Sequence, residues 1–414
     1  MMTLPHSAMS GDTCRVMHRH FDHNVGLTST IAVSPDGGRY AVATRDADVI
    51  VCSSDNGNEL LVLTGHREWV RTVCYSPDGD RLLTAAGDPT QSVDHTARIW
   101  DAQSGDLLHT LEGYKDDLSC AAFSPDGDIV VTGGNDSTIR IWDANTGDTI
   151  RTIRTKSFCT QSIAVSPDGE YILAGFGFYS ISPQDCTVRI WSLASGDSVC
   201  TLSGQKNLVK SVAFSPDGSQ VLSGARDSSV WLWNIAEEDT ARTFIGHKSA
   251  VTAVAFSSDA EFVLSGSEDK TVQLWERSGG AHVRTFIADG NVMDARFSPD
   301  DKKIFARSDY DIYIWNSDGS VPAVARRGAA SGKTAPDMRC ISRGTFVVTG
   351  TKGPCELLFV RPDGRILHRS GAFRDIDGTA VGRSLVRCAA GGVCWNIRGR
   401  SPGGAAVSGI SVTP

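Results

Sequence analysis

The chain is poor in aromatic residues (7%) and has no apolar run long enough to cross a bilayer as a helix. Its 11 cysteines are an odd number, scattered without a C-x-x-C pair, and Cys74, Cys120 and Cys200 sit among apolar strand residues. That pattern speaks against a disulfide framework or a zinc site and reads as reduced core cysteines in a reducing compartment. The opening "MMTLPHSAMSGDTCRV" lacks the basic-then-apolar order of a secretory signal. A cytoplasmic location is therefore expected, with a nuclear one left open.

Recognisable catalytic chemistry is also missing. There is no G-x-S-x-G elbow, no H-E-x-x-H helix and no G-x-G-x-x-G between a strand and a helix. "RRGAASGKTAPD" at 326–337 approaches a phosphate-binding loop, but Gly328 stands one residue too late before Gly332, Lys333 and Thr334, and Pro336 opposes the helix that should follow. It reads as a connector. In "HRHFDH" at 18–23, His18 and His20 share one strand face with Asp22 and His23 nearby, a cluster read as a polar closing strand and not as a metal site. No catalytic, cofactor-binding or metal-binding residue is assigned, and the protein is expected not to be an enzyme.

Charge is present but unevenly spread. The formal net charge of −8 disfavours indiscriminate nucleic-acid binding. From Arg326 onward there are 14 basic and 5 acidic residues, net +9, against 26 and 43 before it, net −17. The simpler reading is mutual attraction between sectors of one body; the other is a separate basic binding tail.

One phrase dominates what is there. "SPDG" or its decayed form recurs with its proline position at 35, 77, 125, 167, 216, 258 and 299, giving steps of 42, 48, 42, 49, 42 and 41. A period near 42 marks a modular fold. Each period holds four short runs of strand character, in the third unit "LSCAAFS", "DIVVTGG", "STIRIWD" and "DTIRTI", separated by turn residues. Each unit is thus predicted to be a four-stranded antiparallel meander that must stack on its neighbours to bury its faces. The two long periods come from "PTQSVD" (89–94) and "FYSISPQD" (178–185), which lengthen the same turn of two units.

These units resemble the WD-repeat β-propeller family. The resemblance rests on Gly65-His66 and Gly246-His247 before first strands, on Asp94, Asp136, Asp185, Asp227, Asp269 and Asp309 or Asp311 in the turn before third strands, and on Trp100, Trp142, Trp191, Trp233, Trp275 and Trp315 closing those strands. It implies a buried network of His, Asp, Trp and a strand hydroxyl within a blade, so His66 with Asp94 and His247 with Asp269 are expected to be structural. Tyr114 and Gln205 replace the histidine in two units, which puts the full network there in doubt.

The fold class is therefore all-β, a WD-repeat propeller with seven clear blades over about 31–325 and one or two degenerate ones over about 326–398. The literal count is nine; eight follows if one degenerate unit is a cap, and seven if the basic end is an appendage. Residues 1–13 are expected to be a flexible N-terminus, 14–398 the propeller with 15–20 as its ring-closing strand, and 399–414 a Gly-rich tail. The resemblance implies a noncatalytic, monomeric scaffold that works within a larger complex of other proteins. By motif alignment Arg45, Trp69, Arg71, Lys210, Arg226, Glu268, Asp294 and Tyr310 fall on the partner-binding face. Their basic and acidic division suits an acidic or phosphorylated partner segment. The rival expectations are an enzyme with a site in the central channel, and RNA or phosphoinositide binding by the Arg-rich end.

Overall fold

Ser-Pro-Asp-Gly is a tight reversal, and its second copy shows how the side chains fix it. Ser76 Oγ donates to Asp78 Oδ1 (2.5 Å) and accepts from the Arg81 N–H (2.9 Å), while Asp78 also takes the Asp80 N–H (3.0 Å). Gly79 at φ +80° lies in the left-handed region open to glycine. In the decayed copies Ala260 and Asp301 hold positive φ (58° and 54°) with a side chain attached, a less favourable conformation.

The computed structural model describes residues 15–17, 30–44, 47–87, 94–157, 159–177, 186–309, 311–318 and seven strands between 337 and 412. The expected flexible N-terminus, the "HRHFDH" cluster, the connector at 326–336 and both long turns apart from Asp94 lie outside them.

Two compact units divide the chain, Met1–Pro322 and Ala323–Pro414. The first contains seven four-stranded antiparallel sheets, the blades of a seven-bladed propeller. The second blade, for example, runs Val70–Tyr75, Arg81–Ala86, Ala97–Asp101 and Leu107–Leu111 in spatial and chain order. The seventh takes Val292–Phe297, Lys303–Ser308 and Ile312–Asn316 from its own repeat and Arg15–Met17 as its fourth strand. Arg15 pairs with Ile314 and Met17 with Ile312, so the N-terminal strand closes the ring at the seventh blade and not after a ninth. This pairing covers a sheet edge that would otherwise be open.

First strands form the inner wall: each packs against the next blade's, and the seventh against the first. Apolar faces meet between blades, as where Val49, Val51 and Leu63 of the first pack with Val70, Val73, Leu82 and Trp100 of the second. Cys52, Cys74, Cys120, Cys159, Cys186 and Cys200 are free thiols, and among the described residues no helix is long and apolar enough to cross a membrane.

The second unit has two sheets of its own. One joins Asp337–Ser342, Thr345–Thr349 and Ser384–Arg387; the other orders Ile366–Arg369, Glu356–Val360, Trp395–Arg400 and Ala406–Val412. A strand at Ala406–Val412 lies within the stretch 399–414 expected to be a Gly-rich tail. "AVSGISV" carries β-branched residues that favour a strand despite the surrounding glycines.

Candidate partner-binding face

Antiparallel order places the Ser-Pro-Asp-Gly turns at one end of the channel. The turns between second and third strands, and the links between blades, lie at the other end, the loop face. Beneath it lies the hydrogen-bond network. In the second blade Trp100 Nε1–H donates to Thr84 Oγ1 (2.8 Å), Thr84 Oγ1 meets His66 Nε2 (2.7 Å), and His66 Nδ1 meets Asp94 Oδ2 (3.1 Å). Indole can only donate, so the simplest assignment has the Thr84 proton on the bond to Nε2 and the imidazole proton at Nδ1, facing Asp94. This is a neutral histidine, and burial, outweighing the pull of Asp94, holds the His66 pKa below its usual value. Burial would raise Asp94, but hydrogen bonds from His66, Thr96 and the Arg67 N–H outweigh it and hold the carboxyl well below the carboxylate range.

The sixth blade repeats the chain through Trp275, Ser265, His247 and Asp269, with links of 2.8, 2.8 and 2.9 Å. In the third, Tyr114 replaces the histidine: its hydroxyl meets Thr132 Oγ1 at 2.6 Å, beside the bond from Trp142 Nε1 (2.7 Å), while Asp136 accepts from the Thr138 hydroxyl and the Lys115 N–H. In the fifth, Trp233 keeps its bond to Ser223 Oγ (2.7 Å), but Gln205 reaches the Ser223 carbonyl and Ser229, leaving its own buried Oε1 without a partner among the described residues. Asp227 there holds the Lys206 N–H and the Ser229 hydroxyl. The fourth blade retains buried Trp191 but has Ala174 at the hydroxyl position. Asp185 lies outside the described residues.

A recurrent β-bulge interrupts the first strands. Val70 pairs with Ala86 and Thr72 with Ala85, so Arg71 is skipped, and the same shift recurs in blades three to seven at Ser119, Gln161, Lys210, Thr252 and Met293. All six bulged residues are half-buried. Arg71 Nε donates to the Gly87 carbonyl (2.8 Å), as Gln161 Nε2 does to Gly177 (3.1 Å) and Thr252 Oγ1 to Gly266 (3.1 Å).

The predicted face residues separate accordingly. Trp69 is half-buried, with its carbonyl accepting the Gly87 N–H (3.0 Å); Glu268 is half-buried, with its N–H on the Ala250 carbonyl (2.9 Å); Arg226 is exposed. Arg45 and Tyr310 lie outside the described residues. Asp294 requires a correction: it is 3% exposed and cannot serve as an exposed partner contact. Its Oδ2 accepts the Ile31 N–H (3.0 Å), binding the seventh blade to the first.

The face is also less simply divided than the sequence suggests. Burial pushes the Cys159 thiol up to about 11, Asp116 adding to the rise and Arg71 opposing it, which places Arg71 and the acidic Asp116–Asp117 pair in one electrostatic neighbourhood. The cationic corner is on blade five. There the Arg226 N–H donates to the Leu208 carbonyl (2.9 Å) and the Lys206 N–H to the Asp227 carboxylate (2.7 Å), so Lys206 and Arg226 lie together beside the start of Val209–Phe214, the first strand that carries Lys210. Lys206 is exposed and escaped the motif alignment; its place directly after Gln205, the histidine equivalent, was the available signal.

The sequence model of the family described as "WD domain, G-beta repeat" matches residues 57–101, 105–143, 147–192, 196–234, 239–276 and 280–316, more than half of the chain. Among curated relatives, WD repeat-containing protein 1 of Gallus gallus is 32% identical over 78 residues, 18% of this chain and 12% of the relative. Nuclear distribution protein PAC1 of Arthroderma benhamiae is 39% identical over 85 residues, 19% and 17% of the two chains. Small ribosomal subunit protein RACK1 of Drosophila melanogaster is 28% identical over 88 residues, 21% and 25%. The matched stretches thus span a quarter or less of each of these relatives.

Proposed function

Because the chain belongs to the WD-repeat family, whose propellers are in general protein-interaction scaffolds, we propose that it is a noncatalytic scaffold whose loop face binds an acidic or phosphorylated segment of another protein at the tip of blade five. The observation that supports this reading is the meeting of Lys206 and Arg226, through the Arg226 N–H bond to the Leu208 carbonyl and the Lys206 N–H bond to the Asp227 carboxylate, at the start of the first strand that carries Lys210. Arginine offers a paired donor fork to carboxylate or phosphate, and lysine a point charge. Half-buried Trp69, on the second blade, supplies an aromatic surface elsewhere on the face. The free cysteines are compatible with a cytoplasmic or nuclear setting.

Affinity capture with the full chain, compared with a Lys210→Glu/Arg226→Glu variant of unchanged melting temperature, tests the reading. A defined set of proteins should be recovered by the wild type, fall about tenfold or more with the variant, and weaken as salt rises. An unchanged set would reject this corner as the binding site.

A further inference from the structure

The other end of the channel carries a feature that the loop face does not explain. Where first strands run into the Ser-Pro-Asp-Gly turns, the residue two before the serine is small in six blades: Ala32, Cys74, Ala122, Ala164, Ala213 and Ala255. In the seventh it is Arg296, exposed and with its side chain 50% accessible. A cavity of about 420 Å³ opens there, lined by blades seven, one, two and three through Ala32, Cys74, Ala122, Phe123 and Phe297, with Arg296 the one charged residue among the described residues that line it. Its volume is within the range of small-ligand pockets, and apolar walls with one convergent charge are their usual chemistry.

Arg296 is held in position. Its Nε lies 3.3 Å from Asp294, whose carboxylate is anchored by the Ile31 and Ala295 N–H groups (3.0 and 2.9 Å). Asp294 thus takes the Nε edge of the guanidinium, and among the described residues its two terminal nitrogens hold no further hydrogen bond, which leaves them for an incoming acceptor. The charge reaches into the ring: Cys74, two blades away past Ala32, has its thiol pushed up to about 12 by burial, with Arg296 opposing the rise.

We infer that the turn-side mouth of the channel is a binding site for a small apolar carboxylate, whose anionic head pairs with the terminal nitrogens of Arg296 and whose apolar part lies against Ala32, Ala122, Phe123 and Phe297. Two sources share this chemistry, a free aliphatic acid and the C-terminal carboxylate of an apolar peptide. Small side chains in six blades leave the space, and the single cation sets the orientation.

Calorimetric titration of the full-length protein with octanoate and with N-acetyl-Ala-Val-Leu, each beside its neutral amide, provides the test. The acids should bind at least about tenfold more tightly than the amides, and Arg296→Gln should remove that preference with no change in melting temperature. Ala122→Phe, which fills the cavity and leaves the charge, should weaken binding independently. Preference for octanoate or for the peptide then identifies the source. Failure of both acids to bind, equal binding of acid and amide, or unchanged affinity in Arg296→Gln would each overturn the inference.

Discussion

In the second blade the Thr84 hydroxyl accepts from the Trp100 indole and donates to neutral His66, so its loss strands two buried polar atoms at once. Thr84→Val keeps the shape and removes the hydroxyl, and should cost roughly 2–6 kcal/mol, from about 1–3 for each of the two stranded groups. Urea denaturation beside the wild type checks this, and a cost below about 0.5 kcal/mol would mean that the network contributes little. The fourth blade shows why the hydroxyl can be absent elsewhere. Ala174 stands there with Lys156 in place of the histidine, so no buried imidazole waits for a donor. Tyr114 solves the same problem differently, bringing its own hydroxyl to Thr132.

At the scale of the element, polar residues four positions before the turn serine bind neighbouring first strands. The Thr30 hydroxyl accepts the Val73 N–H (2.8 Å), Ser162 that of Val212 (3.1 Å) and Ser211 that of Val254 (3.0 Å). Asp294 occupies the corresponding place at the seam between blades seven and one. Asp294→Ala should therefore cost about 1–3 kcal/mol by stranding the buried Ile31 N–H, while Asp294→Thr should recover most of it. Equal melting temperatures for Asp294→Ala and the wild type would remove the stitch from the account. The same residue marks where the sequence was legible and where it was not. Turn chemistry and the repeat spacing give the strands and the blade order, because each is fixed by local residue types, while the network partners follow from the family resemblance. Which way a residue near a first strand points depends on the bulge, and a one-residue offset exchanges channel for seam. Arg71 and Lys210 are bulged and half-buried; Asp294 lies one position further along and is buried. The pairing of Arg15–Met17 with Ile312–Asn316 joins residues about 300 apart, and no local pattern chooses its blade.

For the whole first unit, seven Ser-Asp turns surround one end of the channel, and their aspartates share one shift. Asp36, Asp78, Asp126, Asp168, Asp217, Asp259 and Asp300 are each held below the usual carboxylate value, first by the hydrogen bond from the turn serine, and Asp217 is brought down to about 2. A carboxyl whose folded pKa is below its unfolded value binds fewer protons when folded, so its contribution is present above about pH 4 and is lost as pH falls through the folded value. Asp94 and Asp269 act in the same sense. His66 adds an earlier step, because burial keeps it neutral: its contribution is full above the unfolded pKa near 6.5 and declines as pH falls toward its lowered folded value. The melting temperature should therefore fall gently below about pH 6.5 and more steeply below about pH 4, with the steep part reduced when turn serines are replaced, as in Ser76→Ala/Ser215→Ala. These aspartates are largely exposed, so each contributes little alone, and the steepness measures their number. A melting temperature that stays level from pH 5 to pH 3 would show that the turns are equally well formed with their carboxyls protonated, leaving blade packing to hold the ring without them.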